Sequence, residues 1–360
     1  MRPVVDEEML QAALYSLQNE KLVMGESVFK FEEEFARYCG SRYAVSTGSG
    51  TAALQIALQS MQIGPNDEVM TTPFSFFATS NAVIHAGAQP RFADVEDNGF
   101  NLDPAKVEAK LTPKTRVIIP VHLYGQPARM NEFRDLAEDQ EISIVEDACQ
   151  AHGAEYDGRR VGSLGHVACF SFYTSKNMTV CGDGGMIVTN DEDVADAARS
   201  FRDCGRASKY TMSRIGYTSR LNTVNAAIGR VQLRKLDTWN RTRRRIADLY
   251  RKELEDAPGI TLPPAETPSE TPVYHLFVVR STRRDQLAAH LEKNGVEAAI
   301  HYPVPIHLQD PYRAKYGYSE GSFPIAERLA GQVLSLPIHP AISEEEVRKV
   351  SQLVRESTIE

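Results

Sequence analysis

Residues 6–19 place Met9, Leu10, Ala13, Leu14 and Leu17 on one face of a helix, and 27–39 repeat the spacing with Val28, Phe31 and Phe35 before Gly40 closes it. From Tyr43 the rhythm changes. Short apolar runs at 43–46, 68–72, 90–95, 117–121 and 142–145 alternate with amphipathic stretches at 51–61, 75–85, 104–111 and 129–140. Such alternation predicts an α/β fold with a mainly parallel sheet and helices on both faces.

An apolar, aromatic run at 169–173 then ends in a polar hinge that carries Lys176. The turn Gly182-Asp183-Gly184-Gly185 leads into a return strand at 186–188. Helical patterns cover 191–203 and 223–254, and a segment dense in proline and threonine, 258–272, reads as a linker or surface loop. Beyond it the pattern is α+β. Strands are expected at 273–280 and 296–301, and helices at 283–294, 324–334 and 343–354, the last opened by the capping-box pair Ser343 and Glu346. Two domains follow from this reading: a large α/β domain with N-terminal helices over 1–240, and a small C-terminal α+β domain over 241–360.

Composition narrows the partners. A formal net charge of −8 argues against a nucleic-acid binder, which needs a basic excess, and leaves small molecules. Five cysteines without a CxxC pair fit reduced thiols in a cytoplasmic protein. Cys149 and His152 are spaced C-x-x-H, but no second ligand pair accompanies them, so no metal site is assigned. No apolar stretch approaches ~18 residues and no basic-then-apolar leader opens the chain, so neither membrane insertion nor secretion is expected.

The chemistry centres on Lys176. Burial depresses an ammonium and yields an amine able to attack a carbonyl, although a lone lysine at a strand end is more often a solvated point charge. Gly48-Ser49-Gly50-Thr51-Ala52-Ala53 follows a strand and opens a helix, where backbone N–H groups can hold a phosphate. The same run matches the dinucleotide fingerprint and raises an NAD-dependent oxidoreductase as the rival. That rival needs an acid at the end of the next strand, whereas Asp67 and Glu68 precede the strand and Thr71, Thr72 and Pro73 end it. Asp147 closes the strand at 142–147 without any phosphate-loop motif to make it a magnesium ligand. A phosphate cradle at Gly50, Thr51 and Ala52, an acid at Asp147, a hydroxyl at Ser171 and an amine at Lys176 together suit one molecule, pyridoxal phosphate.

The motifs GTAAL at 50–54, PVHLYGQPARM at 120–130, VEDACQAHGA at 145–154, GSLGHVACFSFYTSKNMTVCGDGG at 162–185 and HYPVPIHLQ at 301–309 cover nearly the whole chain. With them the sequence resembles the DegT/DnrJ/EryC1/StrS sugar aminotransferases, of the aspartate aminotransferase-like fold type I. The resemblance implies that Lys176 bonds the cofactor and that Asp147 partners its ring nitrogen. By the same resemblance Gln150 lies near the phenolic oxygen, Phe76 stacks on the ring, and Thr51, Ala52 and Ser171 hold the phosphate. His301, Tyr302, His307 and Arg220 are the candidates for the sugar side, with packing in the small domain as the plain alternative for the first three.

One departure stands out. Many relatives read GYNSRLD, with the asparagine reaching the phosphate from a partner subunit, where this chain has Gly216-Tyr217-Thr218-Ser219-Arg220-Leu221-Asn222. Thr218 has a hydroxyl but less reach, so it is a candidate for the cross-subunit contact and not its established equivalent, while the resemblance still implies a homodimer with shared sites. The resemblance further implies that L-glutamate leaves its amine on the cofactor as the pyridoxamine form, and that a nucleotide-linked keto sugar takes it. Lys176, once released, serves as general base and acid. Related dehydratases carry histidine in place of this lysine, so Lys176 argues for amino transfer. GDGG and HLYGQ favour carbon 3 over carbon 4, with keto-cyclitols as a further substrate class and a catalytically silent module on the same fold as the non-enzyme reading. The basic run 241–245 is expected to be a solvated helical face.

Overall fold

In the computed structural model, which describes residues 4–359, two helices lead the chain, α1 (Glu7–Asn19) and α2 (Glu26–Cys39). The alternating region follows as β1 (Tyr43–Thr47), α3 (Gly50–Ser60), β2 (Glu68–Thr71), α4 (Ala78–His85), β3 (Gln89–Phe92), α5 (Pro104–Glu108), β4 (Thr115–Ile119), α6 (Met130–Asp139) and β5 (Ser143–Asp147). A short hairpin, β6 (Glu155–Tyr156) and β7 (Arg159–Arg160), precedes β8 (Val167–Ser171) and β9 (Gly185–Thr189). Then come α7 (Glu192–Arg202) and the long α8 (Thr223–Leu254).

Seven of these strands form one sheet in the order β1-β9-β8-β5-β4-β2-β3. The neighbours from β8 to β3 pair in parallel, while β9 runs antiparallel to both β1 and β8. Since β9 is reversed between them, β1 and β8 share one direction, and the carboxyl ends of β1, β2, β5 and β8 lie along one edge. Ligands of open α/β sheets bind at that edge. Helix α2 is held to the sheet by aromatic packing: the Phe35 ring stands edge-on to Phe170 at 5.0 Å and to Phe172 at 5.3 Å.

The C-terminal part contains β10 (Ile260–Thr261), β11 (Glu270–Thr271), β12 (Phe277–Ser281), α9 (Arg284–Lys293), α10 (Asp310–Tyr316), α11 (Pro324–Gln332), β13 (Val333–Leu336) and α12 (Glu344–Ile359). Its sheet is β10-β12-β13, and β11 pairs instead with the β6–β7 hairpin. This is the large α/β plus smaller α+β architecture expected from the alternation of elements. Helix α8 joins the two parts. Its first half contributes Ala226, Leu233 and Leu236 to the large core, and its last turns contribute Ile246, Ala247, Tyr250 and Leu254 to the small one.

Several local expectations are corrected. The stretch 296–301 is no strand but makes one bridge, Ala299 to Ser335. The helix expected to reach 334 stops at Gln332, because Val333, Leu334 and Leu336 are needed as a strand beside β12. Helix α4 begins at Ala78 rather than 75, which leaves Ser75 and Phe76 in irregular backbone. The basic run is not wholly solvated. Arg243 is 2% exposed and donates through Nη1 to the carbonyls of Tyr274 at 3.1 Å and Ile338 at 3.2 Å, and burial lowers its guanidinium to about 10. On α1, Met9 is buried while Leu10, Leu14 and Leu17 are exposed. The capping pair is as expected: Ser343 N donates to Glu346 at 2.8 Å and Glu346 N to Ser343 Oγ at 3.2 Å. No helix among the described residues is long and apolar enough to cross a membrane.

A buried ion pair ties α2, β1 and α7 together. Glu32 and Arg202 are 6% and 2% exposed and bond to each other directly. Ser46 completes the knot, giving N–H and O–H to Glu32 at 2.9 and 2.7 Å and accepting Arg202 on its carbonyl at 2.9 Å. Removing one partner strands the other charge without solvent. Glu32→Leu is therefore expected to cost about 3–5 kcal/mol in urea unfolding, and the double variant Glu32→Leu/Arg202→Met to recover much of it. A double variant no more stable than the single one would show that the pair, rather than the stranded charge, carries the stability.

Candidate active site

The sequence places a glycine where β1 must turn into α3, and Gly50 lets the two strand ends approach. A Cβ there would lie 2.6 Å from Ser171 Cβ and 3.0 Å from Cys149 Sγ, closer than packing permits. Across the turn, a Cβ on Gly185 would fall on the Ser49 carbonyl. Ser49 caps α3, and its hydroxyl accepts the Ala52 N–H at 3.1 Å. The first turn of α3 thus stands beside Ser171, with the N–H groups of Gly50 and Thr51 outside the helical ladder. Its exposed N–H groups and dipole favour an anion there.

Asp147 ends β5 and is 5% exposed. Its Oδ2 accepts the Thr79 hydroxyl at 2.7 Å and its Oδ1 the Cys149 N–H at 3.2 Å. Lys176 is placed by a turn in which its N–H donates to the Tyr173 carbonyl at 2.9 Å. Among the described residues its amine has no hydrogen-bond or ion-pair partner, although it shares a cavity of about 510 Å³ with Asp147. Burial lowers the Lys176 ammonium below its ordinary value, while Cys149 and Asp147 work the other way. Burial also pushes the Cys149 thiol well up, so it stays neutral beside them.

The remaining wall is aromatic and amide. Phe76 is 45% exposed, lies 4.3 Å from the Phe77 ring and 6.1 Å from Tyr302, and faces the same cavity. Gln150 is locked: its Oε1 accepts the Tyr124 N–H at 2.9 Å and its Nε2 donates to the Tyr302 hydroxyl at 3.3 Å. The Tyr124 hydroxyl in turn donates to the His301 carbonyl. Burial, reinforced by the field of Lys176, lowers the His301 imidazole.

Gly50, Thr51, Phe76, Asp147, Gln150, Ser171, Lys176, His301 and Tyr302 therefore line one cavity. Four candidates fall elsewhere. Ala52 spends its N–H on the Ser49 cap. His307 is buried against the Phe323 ring at 4.7 Å and bonds Glu327 at 2.9 Å, so it serves small-domain packing and not the sugar side. Arg220 pairs with Asp203 at 2.5 Å. Thr218 is exposed and approaches Cys204 Sγ at 3.3 Å, away from its own chain's cavity. Thr79, Cys149, Tyr173, Asp183 and His275 also line or support the site and escaped sequence reasoning. None of them carries a local signal: a buried carboxylate such as Asp147 demands a donor, but that demand does not name Thr79, 68 residues away in sequence.

The pocket fits pyridoxal phosphate on its own geometry: an unpaired amine, a carboxylate with both oxygens already directed, an open helix start held beside a serine hydroxyl, and an exposed aromatic face. Behind Asp147 sits a second acid. Glu146 is fully buried and accepts N–H groups from Gly162 at 2.9 Å, Leu164 at 2.8 Å and Gly165 at 2.7 Å, with His122 Nε2 at 3.0 Å. Burial alone would raise its carboxyl, but the bonds from His122, Gly162 and Gly165 outweigh it and hold the group below its ordinary 4.5.

Comparison with known proteins adds function to this geometry. The family model described as the DegT/DnrJ/EryC1/StrS aminotransferase family matches residues 3–355. The chain is 42% identical over 341 residues to a "Pleiotropic regulatory protein" of Geobacillus stearothermophilus, covering 94% of this chain and 91% of that one. It is 44% identical over 340 residues to the dTDP-3-amino-3,4,6-trideoxy-alpha-D-glucose transaminase of Streptomyces venezuelae, covering 94% and 89%. The crystal structure of S. venezuelae DesV in complex with a ketimine intermediate superimposes with a TM-score of 0.94 at 43% identity, over 97% of this chain and 94% of that one.

Two outcomes follow from the supports of the cavity. Gly50→Ala is expected to weaken pyridoxal phosphate binding about tenfold or more, read by absorbance titration, since the added methyl must displace Ser171 or the helix start. Affinity equal to the wild type would show that the close approach does not shape the cradle. Because the Glu146 carboxyl is depressed in the folded protein, its stabilisation is full above the ordinary glutamate range and is lost as pH falls through the depressed value. Glu146→Gln should cost about 2–4 kcal/mol at pH 7, and the gap from wild type should narrow as the pH drops below 4.5. A gap constant with pH would remove the carboxylate from the explanation.

Proposed function

Because the chain belongs to the DegT/DnrJ/EryC1/StrS aminotransferase family, we propose that it moves the amino group of L-glutamate to carbon 3 of a nucleotide-linked keto deoxysugar. The protein is a pyridoxal phosphate-dependent aminotransferase of fold type I. The NAD-dependent oxidoreductase and silent-module readings fall with it. What carries the finer reading is the 44% identity to a transaminase whose name specifies a 3-amino deoxyglucose on dTDP. The same relative favours a sugar over a cyclitol.

In this reading Lys176 Nζ would hold the cofactor and the Asp147 carboxylate would partner its ring nitrogen. The N–H groups of Gly50 and Thr51 and the Ser171 hydroxyl would take its phosphate, and Phe76 and Gln150 would flank the ring. When bound, pyridoxal phosphate supplies a ring that takes up the electron pair left as a proton departs from the carbon beside an amine. Thr79 and the Cys149 N–H fix the Asp147 oxygens before any ligand arrives, so no reorganisation is needed at the moment of reaction. Lys176, freed by the donor, takes that proton on Nζ and returns it to the neighbouring carbon. Its depressed ammonium makes it both a competent base and a willing acid. Tyr302 and His301 stand over the cavity on the small-domain side, where a sugar would enter.

The working unit in this proposal is a cytoplasmic homodimer with shared sites. Leu10, Leu14, Leu17, Leu22, Val23 and Phe29 leave apolar surface on α1, α2 and the segment between them that the described residues do not cover. Thr218, exposed and off its own cavity, is free to approach the phosphate of a second copy.

The decisive experiment reduces the loaded enzyme with L-glutamate and offers it dTDP- and UDP-linked 3-keto sugars, their 4-keto isomers, and keto-cyclitols. Return of the visible cofactor band with a 3-keto sugar nucleotide is the expected result. Turnover with the 4-keto set alone, or with cyclitols alone, would refute the substrate assignment.

A further inference from the structure

His275 lies just before β12, is 5% exposed, and shares the cavity with Lys176, yet neither cofactor binding nor proton transfer as proposed for this site uses it. Its surroundings decide where its proton sits. The Val273 and His152 carbonyls can only accept hydrogen bonds, and each receives one from an asparagine amide: Asn177 Nδ2 to Val273 O at 3.1 Å, and Asn240 Nδ2 to His152 O at 2.7 Å. These anchors orient both side chains. Asn240 therefore presents its oxygen to the other Asn177 N–H, at 3.1 Å, and Asn177 presents its own oxygen to His275 Nδ1 at 3.2 Å. An amide oxygen accepts, so Nδ1 must carry the hydrogen.

The other ring nitrogen then bears a lone pair. A second proton is disfavoured by burial first, and by the positive fields of Lys176 and Arg243 and the neighbouring His152 and His301, which together hold the imidazole well below its ordinary value. The largest influences on the ring all act in this direction. The ring is thus a neutral acceptor of fixed tautomer, backed by a relay that ends on two main-chain carbonyls. The main chain is pinned as well, since Arg243 donates to the His275 carbonyl at 3.4 Å and Leu276 N–H to the Tyr124 carbonyl at 3.3 Å.

We propose that His275 is a positioning residue for proton transfer: its Nε2 lone pair accepts a hydrogen bond from the Lys176 amine whenever that amine is released from the cofactor. The need is physical. Among the described residues a freed ammonium in this cavity has no partner of its own, and three rotatable N–H donors on a flexible stem do not aim themselves. A fixed acceptor holds one of them, steers Nζ between the two carbons that exchange the proton, and moderates the cost of the charged form between the two transfers. The proton stays on Lys176, and His275 exchanges none. The inference rests on the reading of Lys176 as the proton carrier.

The test separates the ε nitrogen from the δ nitrogen. Gln at 275 retains an acceptor where Nε2 was, whereas Asn reproduces only the Nδ1 side. With the loaded enzyme and L-glutamate in single turnover, His275→Gln should keep the rate of band loss within about threefold, while His275→Asn should lower it about tenfold. In the slow variant, α-deuterated glutamate should show a larger isotope effect than in the wild type at unchanged glutamate affinity. Equal losses in both variants, or a loss confined to binding with no change in isotope effect, would overturn the proposal. A second measurement is independent of substrate. In loaded enzyme labelled with 15N-histidine, with the His275 signal assigned by its absence in His275→Gln, the ring should read as the Nδ1–H tautomer at neutral pH. An Nε2–H tautomer or an imidazolium overturns it. If the wild type does not react with glutamate at all, the donor assignment fails, and the tautomer alone then decides His275.

Discussion

Asp147 and Lys176 are opposite charges on one cavity, and the site functions only because they are kept from pairing. A carboxylate free to swing would capture the ammonium, and both would be lost to the cofactor. The structure prevents this by satisfying the acid first: Thr79 takes one oxygen and the Cys149 amide the other. Lys176 is left with a desolvated amine and an open side. Preorganisation here means that the strong attraction available in a low-dielectric pocket is reserved for a ligand.

The same economy of partners recurs one layer out. Glu146, next to Asp147 on β5 but facing away from the cavity, collects three main-chain N–H groups from 162–165 and an imidazole from His122. It therefore binds together the two loops on which the ends of β4 and β8 depend. Gln150 does similar work on the other side, joining the Tyr124 backbone to Tyr302. Glu146 thus steadies the cavity from behind, and Gln150 braces the wall of which it is itself a part. The Asn240–Asn177–His275 relay extends the pattern from α8 into the cavity.

How much of this could be read from the chain depends on how far each residue's partner lies in sequence. Gly50, Asp147, Ser171 and Lys176 were legible because each sits in a local signal: a tight strand-to-helix turn, a strand closing on an acid, a hydroxyl and a lysine at a strand end. The sheet was legible for the same reason, as apolar runs and amphipathic stretches alternate over short distances. Arg243 was misread because nothing within five residues distinguishes it from Arg244, and its acceptors arrive from 274 and 338. His307 was misplaced because a motif carries position but not direction, and Glu327 and Phe323 turn it away from the cavity. Residues 333 and 334 looked like the tail of a helix, whereas they open a strand that takes the sheet edge offered by β12. Thr79 and His275 had no local pattern to report them, since a threonine in a helix and a histidine before a strand are ordinary residues until the fold supplies their company.

Helix α8 has one more consequence. At 32 residues it is roughly 48 Å long, and it is unbroken from the bed of α1 and α2 to the small core. It acts as an axle shared by both halves of the molecule. Any swing of the C-terminal sheet over the cavity must roll or bend this shaft as a whole, because no joint interrupts it. The torque would be felt at both ends at once: at Tyr250 stacked on Phe277, and at Thr223 where it holds the entrance of α2 through Gly25.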